Sequence, residues 1–381
     1  MVESFGVKAA GMLAALVAGA AAGVMAERRI VGDQIRSDPD LRSKLGSLRG
    51  DIGRVVLTDG AELHVEVDTP EGWREGIDPT IVFSHGYALN LDTWHFQREA
   101  LRPYARLVFW DQRAHGRSGA GPAGSHTIDQ LGHDLRKVVL EYAPEGPLML
   151  VGHSMGGMTV MSLAASYPQI FAERVIGVAL IGTSSGGLAE VPLGLPGPVA
   201  KVAHRLAPVL APEMIRRKDL IDASRERASD LSLILTKRYS FGSEVPPEVA
   251  QFAFDMINET PIEVVGEFLP TFDRHDKRTA LEALHGLEVL VMVGRDDKMT
   301  PPDHSFEIIR RVPHGELVVL AETGHMLMLE RPDEVNAELI ALFERAVRTL
   351  GTDGIIGPLD RDGRPQPAES SSSPADERSR G

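Results

Sequence analysis

Cysteine is absent from the 381-residue sequence. That excludes disulfides, cysteine-ligated zinc, iron–sulfur clusters and a cysteine nucleophile. It leaves the compartment open, since exported proteins can also lack disulfides. Positive charge is in short supply: 40 Lys and Arg stand against 54 Asp and Glu, a formal net charge of −14. A chain with this balance lacks the basic face that nucleic-acid binding needs, so no nucleic-acid partner is expected. No internal repeat is found. What remains is a globular composition, 43% hydrophobic and 25% charged. The length suits one large domain with an insertion, or two smaller domains.

From Ala9 to Ala26 no charged or strongly polar side chain occurs. The run is mostly Ala and Gly, and its length lies at the lower edge for a membrane span. Three readings of residues 1–26 stay open: a membrane anchor, a cleaved signal peptide and a soluble Ala-rich helix. Ala18-Gly-Ala20 and Ala20-Ala-Ala22 are small-x-small cleavage patterns, and Gly19 with Gly23 forms GxxxG, a close-packing helix face in lipid. Arg28, Arg29, Arg36, Arg42 and Lys44 follow the run, whereas only Lys8 precedes it. If residues 9–26 associate with a membrane by spanning it, the rest of the chain therefore lies on the cytoplasmic side. Signal cleavage would instead export it.

Residues 27–50 are charged and read as a connector. Arg54-Val-Val-Leu-Thr58 and the alternating Leu63-His-Val-Glu-Val-Asp68 flank Asp59-Gly60, which predicts a hairpin. Six short apolar runs follow without alternation, starting at Thr80, Arg106, Leu148, Val175, Val289 and Leu317. Such runs suit strands buried on both faces of a parallel sheet. Helices are expected between them. One opens at the capping-box pattern Thr127-Ile-Asp-Gln130, one runs from Met155 to Tyr167 and is ended by Pro168, and one covers residues 333 to about 350 with Val335, Leu339, Phe343 and Val347 on one face. The pattern is a doubly wound α/β sheet of about eight strands, mostly parallel and flanked by helices. Alternation breaks over 186–286, where helical patches around Ala203, Leu231 and Phe252 lie between prolines. This stretch reads as a helical lid inserted between core segments 51–185 and 287–350. Residues 351–381 read as a disordered tail by composition.

Gly152-His153-Ser154-Met155-Gly156-Gly157 stands between an expected strand and an expected helix. GxSxG in that setting is a nucleophile elbow. Small residues are needed two before and two after the serine because the turn is sharp, and Gly152 and Gly156 supply them. Ser154 is the candidate nucleophile. A serine needs a base held in the right tautomer, and His325, one loop beyond the last expected strand, is in place. The orienting acid should follow an earlier strand. Gly294-Arg-Asp-Asp297 offers two aspartates, of which Asp297 is favoured over Asp296. The loop Gly182-Thr-Ser-Ser-Gly-Gly187 has no carboxylate. For the oxyanion, the Met155 N–H lies at the helix start and the Tyr87 N–H follows Gly86, which lets the backbone approach closely. His85 is expected to hold that loop by hydrogen bonds.

Five motifs now stand in order: His85-Gly86, Asp111-Gln-Arg-Ala-His115-Gly116-Arg-Ser118, Gly152-His-Ser-Met-Gly156, Gly294-x-x-Asp297 and Gly324-His325. Over roughly residues 50–350 the sequence resembles the α/β-hydrolase superfamily in its lipase/esterase-like branch. The GHSMGG elbow is similar to that of monoacylglycerol-lipase-like and lysophospholipase-like members. The resemblance implies the α/β-hydrolase fold and hydrolysis of carboxylic esters, lipid esters among them, through an acyl-enzyme, with no metal or organic cofactor. It implies that Asp111 to Ser118 shape the floor of the site. Ser154 argues against epoxide hydrolases and haloalkane dehalogenases, which carry Asp at the elbow. The partner expected is a small-molecule or lipid ester. The rival readings are a cofactor-free perhydrolase or haloperoxidase-like enzyme, and a non-enzymatic binding protein.

Overall fold

The computed structural model describes residues 38–191 and 229–350. The N-terminal apolar run, residues 192–228 of the expected lid with the patch around Ala203, and the tail 351–381 lie outside the described residues. Eight strands form one sheet in the order β1-β2-β4-β3-β5-β6-β7-β8. They are β1 Asp51–Val56, β2 Glu62–Asp68, β3 Thr80–Ser84, β4 Arg106–Trp110, β5 Leu148–His153, β6 Val175–Ile181, β7 Glu288–Gly294 and β8 Glu316–Leu320. β2 pairs antiparallel with β1 and β4, and every pairing from β4 to β8 is parallel. The expected mostly parallel eight-stranded α/β sheet is therefore present. The hairpin begins three residues earlier than the apolar run, at Asp51, and Asp59-Gly60 sits in a five-residue loop closed by Leu57 N–H to Ala61 O at 2.8 Å.

The unbroken apolar runs are explained by what lies on each side. Ile81, Phe83, Leu107, Phe109, Met149 and Val151 point to one face, into a core shared with the helices His95–Leu101 and Pro332–Arg348. Their neighbours Val82, Val108, Leu148 and Leu150 point to the other, against Ile128–Tyr142 and Met155–Ser166. Period two thus serves two cores and leaves no polar face. Val335, Leu339, Phe343 and Val347 are all buried along one stripe of Pro332–Arg348. Burial of each is worth about 1.5–3 kcal/mol against exposure. At the start of Ile128–Tyr142, Thr127 Oγ1 accepts from Gln130 N at 3.1 Å, but the Gln130 amide turns forward to Asp134 at 2.9 Å. Only one half of the capping box forms.

Between β6 and β7 the chain carries the helices Ser229–Ser240, Pro247–Glu259 and Ile262–Arg274. Pro270 lies inside the last of these. Burial of Phe268 and Thr271 on either side holds the helix through the hydrogen bond that Pro270 cannot donate. The two ends of the insertion are stapled, Gly186 bridging Asp276 and Lys277 N–H reaching Ser185 O at 2.7 Å. The core resumes there rather than at residue 287, because Ala280, Leu281 and Leu284 of the next 3-10 turn pack into the sheet core. The expected connector also contains structure. Pro39–Lys44 is helical, capped by the Asp38 side chain, and Leu45 enters the core. Among the described residues no helix is long and apolar enough to cross a membrane.

Candidate active site

β5 ends in the turn that the GxSxG spacing requires. Ser154 has φ +52° and ψ −117°, a conformation that non-glycine residues rarely adopt. The backbone is held there from three sides. Ser154 N–H donates to Ile181 O at 2.9 Å on β6, Thr183 Oγ1 donates to Ser154 O at 2.7 Å, and the N–H groups of Gly157 and Met158 converge on the same oxygen. A Cβ on Gly152 would lie 2.5 Å from Gly156 O, so this glycine does relieve crowding within the turn. A Cβ on Gly156 would lie 2.0 Å from Ser84 O, so its crowding comes instead from the end of β3. Gly157, not singled out from the sequence, is pressed in the same way against Thr183 at 2.7 Å.

Ser154 Oγ lies 2.9 Å from His325 Nε2, and His325 Nδ1 lies 2.8 Å from Asp297 Oδ2. A carboxylate only accepts, so Nδ1 carries the proton and Nε2 is left to accept from the serine hydroxyl. Asp297 rather than Asp296 reaches the histidine. Asp296 is exposed, whereas Asp297 is buried and fully occupied. Its Oδ1 accepts from Met299 N at 2.8 Å and Thr300 N at 2.9 Å, and its Oδ2 also accepts from Thr300 Oγ1 at 2.8 Å. Thr300 was not anticipated, although Asp-x-x-Thr is a local side-chain-to-backbone turn pattern that could have marked it.

The loop that carries His325 is clamped by a buried carboxylate with no sequence signal. Glu330 accepts from Gly324 N at 2.7 Å, Gly242 N at 3.0 Å and Ser243 Oγ at 2.7 Å. It thereby joins the end of Ser229–Ser240 to the histidine loop. His153 adds a second tie, its Nε2–H donating to His325 O at 2.9 Å. Burial and the neighbouring His325 hold the His153 ring well below the usual imidazole range, so it stays neutral.

Tyr87 and Met155 meet in one apolar cluster with Phe268 and Val264 of the inserted helix. Met155 opens Met155–Ser166, so its N–H has no acceptor within the helix. Gly86 packs on the elbow so closely that a Cβ would lie 2.7 Å from His153 Nδ1. His85 is wholly buried. Its Nδ1–H donates to Gly86 O at 2.7 Å and its Nε2 accepts from Gln112 N at 2.9 Å. Burial, with a smaller contribution from His115, pushes its pKa down to about 3, which keeps it out of proton transfer near neutral pH. The Tyr87 hydroxyl donates to Val265 O at 2.6 Å, and His126 pairs with Glu267, so Ile262–Arg274 is fastened to this side of the site. Asp111 ties the turn after β4 to Leu91, accepting from Leu91 N at 2.7 Å and Arg117 N at 2.9 Å, and burial raises its carboxyl to about 6. No group of three His, Asp or Glu side chains among the described residues could hold a metal ion.

A family model described as alpha/beta hydrolase fold matches residues 79–332. The dihydrolipoyllysine-residue acetyltransferase component of the acetoin cleaving system of Pseudomonas putida is 30% identical over 274 residues, 71% of this chain and 65% of that protein. The chain therefore spans less than two thirds of that relative. A monoacylglycerol lipase of Mycolicibacterium smegmatis is 30% identical over 153 residues, 39% of this chain and 52% of the lipase. Among solved structures, the enol-lactonase from Burkholderia xenovorans LB400 is 25% identical with a TM-score of 0.61, covering 77% of this chain and all of that one. With the sheet order, the strained serine turn and a family model that takes in more than half of the sequence, the chain belongs to the α/β hydrolase fold family.

Proposed function

We propose that the protein is a serine hydrolase that cleaves carboxylic esters through an acyl-enzyme. The observation that carries the reading is the unbroken relay from Ser154 Oγ to His325 Nε2 at 2.9 Å and from His325 Nδ1 to Asp297 Oδ2 at 2.8 Å. In this reading Ser154 attacks the ester carbonyl while His325 takes its proton, and Asp297 stabilises the imidazolium that forms. The N–H groups of Tyr87 and Met155 receive the oxyanion. His325 returns the proton to the leaving alcohol, and water then repeats the sequence on the acyl group. None of these steps needs a metal or an organic cofactor. The helices between β6 and β7 act as the lid, and the apolar cluster in which Phe268 and Val264 of the last of them meet Met155 favours an apolar acyl chain. Lipid esters are accordingly the substrates to try first, with residues 9–26 bringing the chain to a membrane.

Labelling with a fluorophosphonate followed by peptide mapping tests the nucleophile. The adduct is expected on Ser154 and is expected to vanish in His325→Ala. Peroxide-dependent bromination without ester hydrolysis would select the haloperoxidase-like alternative. No adduct in wild type would leave a binding role.

A further inference from the structure

The two residues assigned to the oxyanion lie on different elements, Tyr87 in the loop after β3 and Met155 at the start of Met155–Ser166. Their N–H groups must converge on one oxygen, so something must fix the loop against the helix. One side chain touches both. Gln112 follows Asp111 in the turn after β4, and it is fully buried, as are His85 and Thr159. Its backbone N–H donates to His85 Nε2 at 2.9 Å, and its side-chain Nε2–H donates to His85 O. Its Oε1 accepts from Thr159 Oγ1 at 2.7 Å, and Thr159 Oγ1 also lies 3.0 Å from Met155 O, one turn back. His85 closes the chain through Nδ1–H to Gly86 O at 2.7 Å, directly before Tyr87.

We propose that Gln112 is a positioning residue that sets the separation of the Tyr87 and Met155 N–H groups through its two-sided contact with His85 and Thr159. The inference rests on the ester-hydrolase reading of the site above. The chemistry of the amide makes the role specific. One end must donate to a carbonyl and the other must accept from a hydroxyl, and only an amide of this length does both. Glutamate would set an acceptor against the His85 carbonyl. Methionine fills similar volume and breaks both contacts. The network carries no charge, because burial keeps His85 neutral near neutral pH. A donor that shifts by a few tenths of an ångström loses its value in the transition state while ground-state binding is untouched.

Gln112→Met, Thr159→Val and the double variant test this, with Ser154→Ala alongside. The measurements are kcat and KM on a p-nitrophenyl ester, the inhibition constant of an alkyl boronic acid, and the melting temperature. Gln112→Met is expected to lower kcat about 10- to 100-fold, less than the loss of a whole donor. Boronate affinity should fall by the same factor, and KM should stay within about twofold. Thr159→Val breaks one arm and should lower kcat less. The double variant should match Gln112→Met, because the two contacts lie on one path. Unchanged kcat and boronate affinity well below the melting temperature would overturn the proposal, as would a rise in KM alone. If Gln112→Met does not fold, Thr159→Val decides, and wild-type boronate affinity in that variant would overturn the role. Equal turnover by Ser154→Ala and wild type would instead remove the ester-hydrolase reading, and this role with it.

Discussion

Replacing Asp297 by asparagine exchanges one oxygen for an NH2 group and should nearly silence the site. The Asp297 Oδ1 position accepts from the N–H groups of Met299 and Thr300 at 2.8 and 2.9 Å. Those two donors fix which way the new amide lies. Its oxygen must stay at Oδ1, so its NH2 takes the place of Oδ2, 2.8 Å from His325 Nδ1. An NH2 group can only donate there, so Nδ1 must become the acceptor and the ring proton must move to Nε2. That nitrogen faces Ser154 Oγ and can no longer take its proton. The fold is kept because the loop retains its backbone bonds and the Thr300 hydroxyl, which donates to Oδ2, can turn to accept from the NH2; the catalytic defect is the wrong tautomer. A wrong tautomer in this arrangement costs about 10⁴ in kcat, or about 5 kcal/mol of barrier. Steady-state hydrolysis of a p-nitrophenyl ester, with circular dichroism and the melting temperature to confirm folded enzyme, measures it. Asp296→Asn is the control and should stay within about twofold, since that side chain is exposed. An Asp297→Asn variant within tenfold of wild type, or an equal loss in Asp296→Asn, would refute the reasoning.

Three further outcomes follow from the same structure. Gly156→Ala places a methyl group 2.0 Å from the Ser84 carbonyl, and because backbone must move, it should cost about 3 kcal/mol or more in chemical unfolding. Glu330→Gln sets an NH2 among the buried donors Gly324 N, Gly242 N and Ser243 Oγ. It should cost about 2–3 kcal/mol in denaturant and lower kcat through the loosened His325 loop. Stability should also fall steeply with acid. Burial pushes His85 down to about 3 and His115 and His275 to about 4, so below the unfolded value near 6.5 only the unfolded chain gains these protons. Stability is full above pH 6.5 and is lost toward pH 4, at about 1.4 kcal/mol per pH unit for each ring. Asp111, raised by burial to about 6, opposes one ring's share from there down to its unfolded value. A melting temperature that stays flat between pH 7 and 4.5 would contradict this balance.

The sheet was legible because its strands bury both faces. Runs such as Leu148 to Val151 have no polar position to misread, and their spacing leaves room for one helix each. The elbow was legible because its two glycines bracket the serine, Gly152 two residues before and Gly156 two after, although only the crowding at Gly152 is local and that at Gly156 comes from Ser84 on β3. Contacts across long separations were not. Glu330 meets Gly242 from 88 residues away and Gln112 meets Thr159 from 47, and neither pair leaves a periodic trace. Thr183, which grips Ser154 O, lies in a loop that was read only for its lack of a carboxylate. The short helix Pro39–Lys44 was hidden in a charged stretch because only the half-buried Leu41 and, just past the helix end, Leu45 reach the core. Pro270 misled in the opposite direction, since a proline that reads as a break sits inside a packed helix.

The most direct test of ester hydrolysis by Ser154 is a p-nitrophenyl ester series from acetate to palmitate, run with wild type and Ser154→Ala in parallel. The account predicts turnover in wild type that strengthens toward longer acyl chains and disappears in the variant. Turnover that survives in Ser154→Ala, or a wild type that hydrolyses no ester in the series, would contradict it.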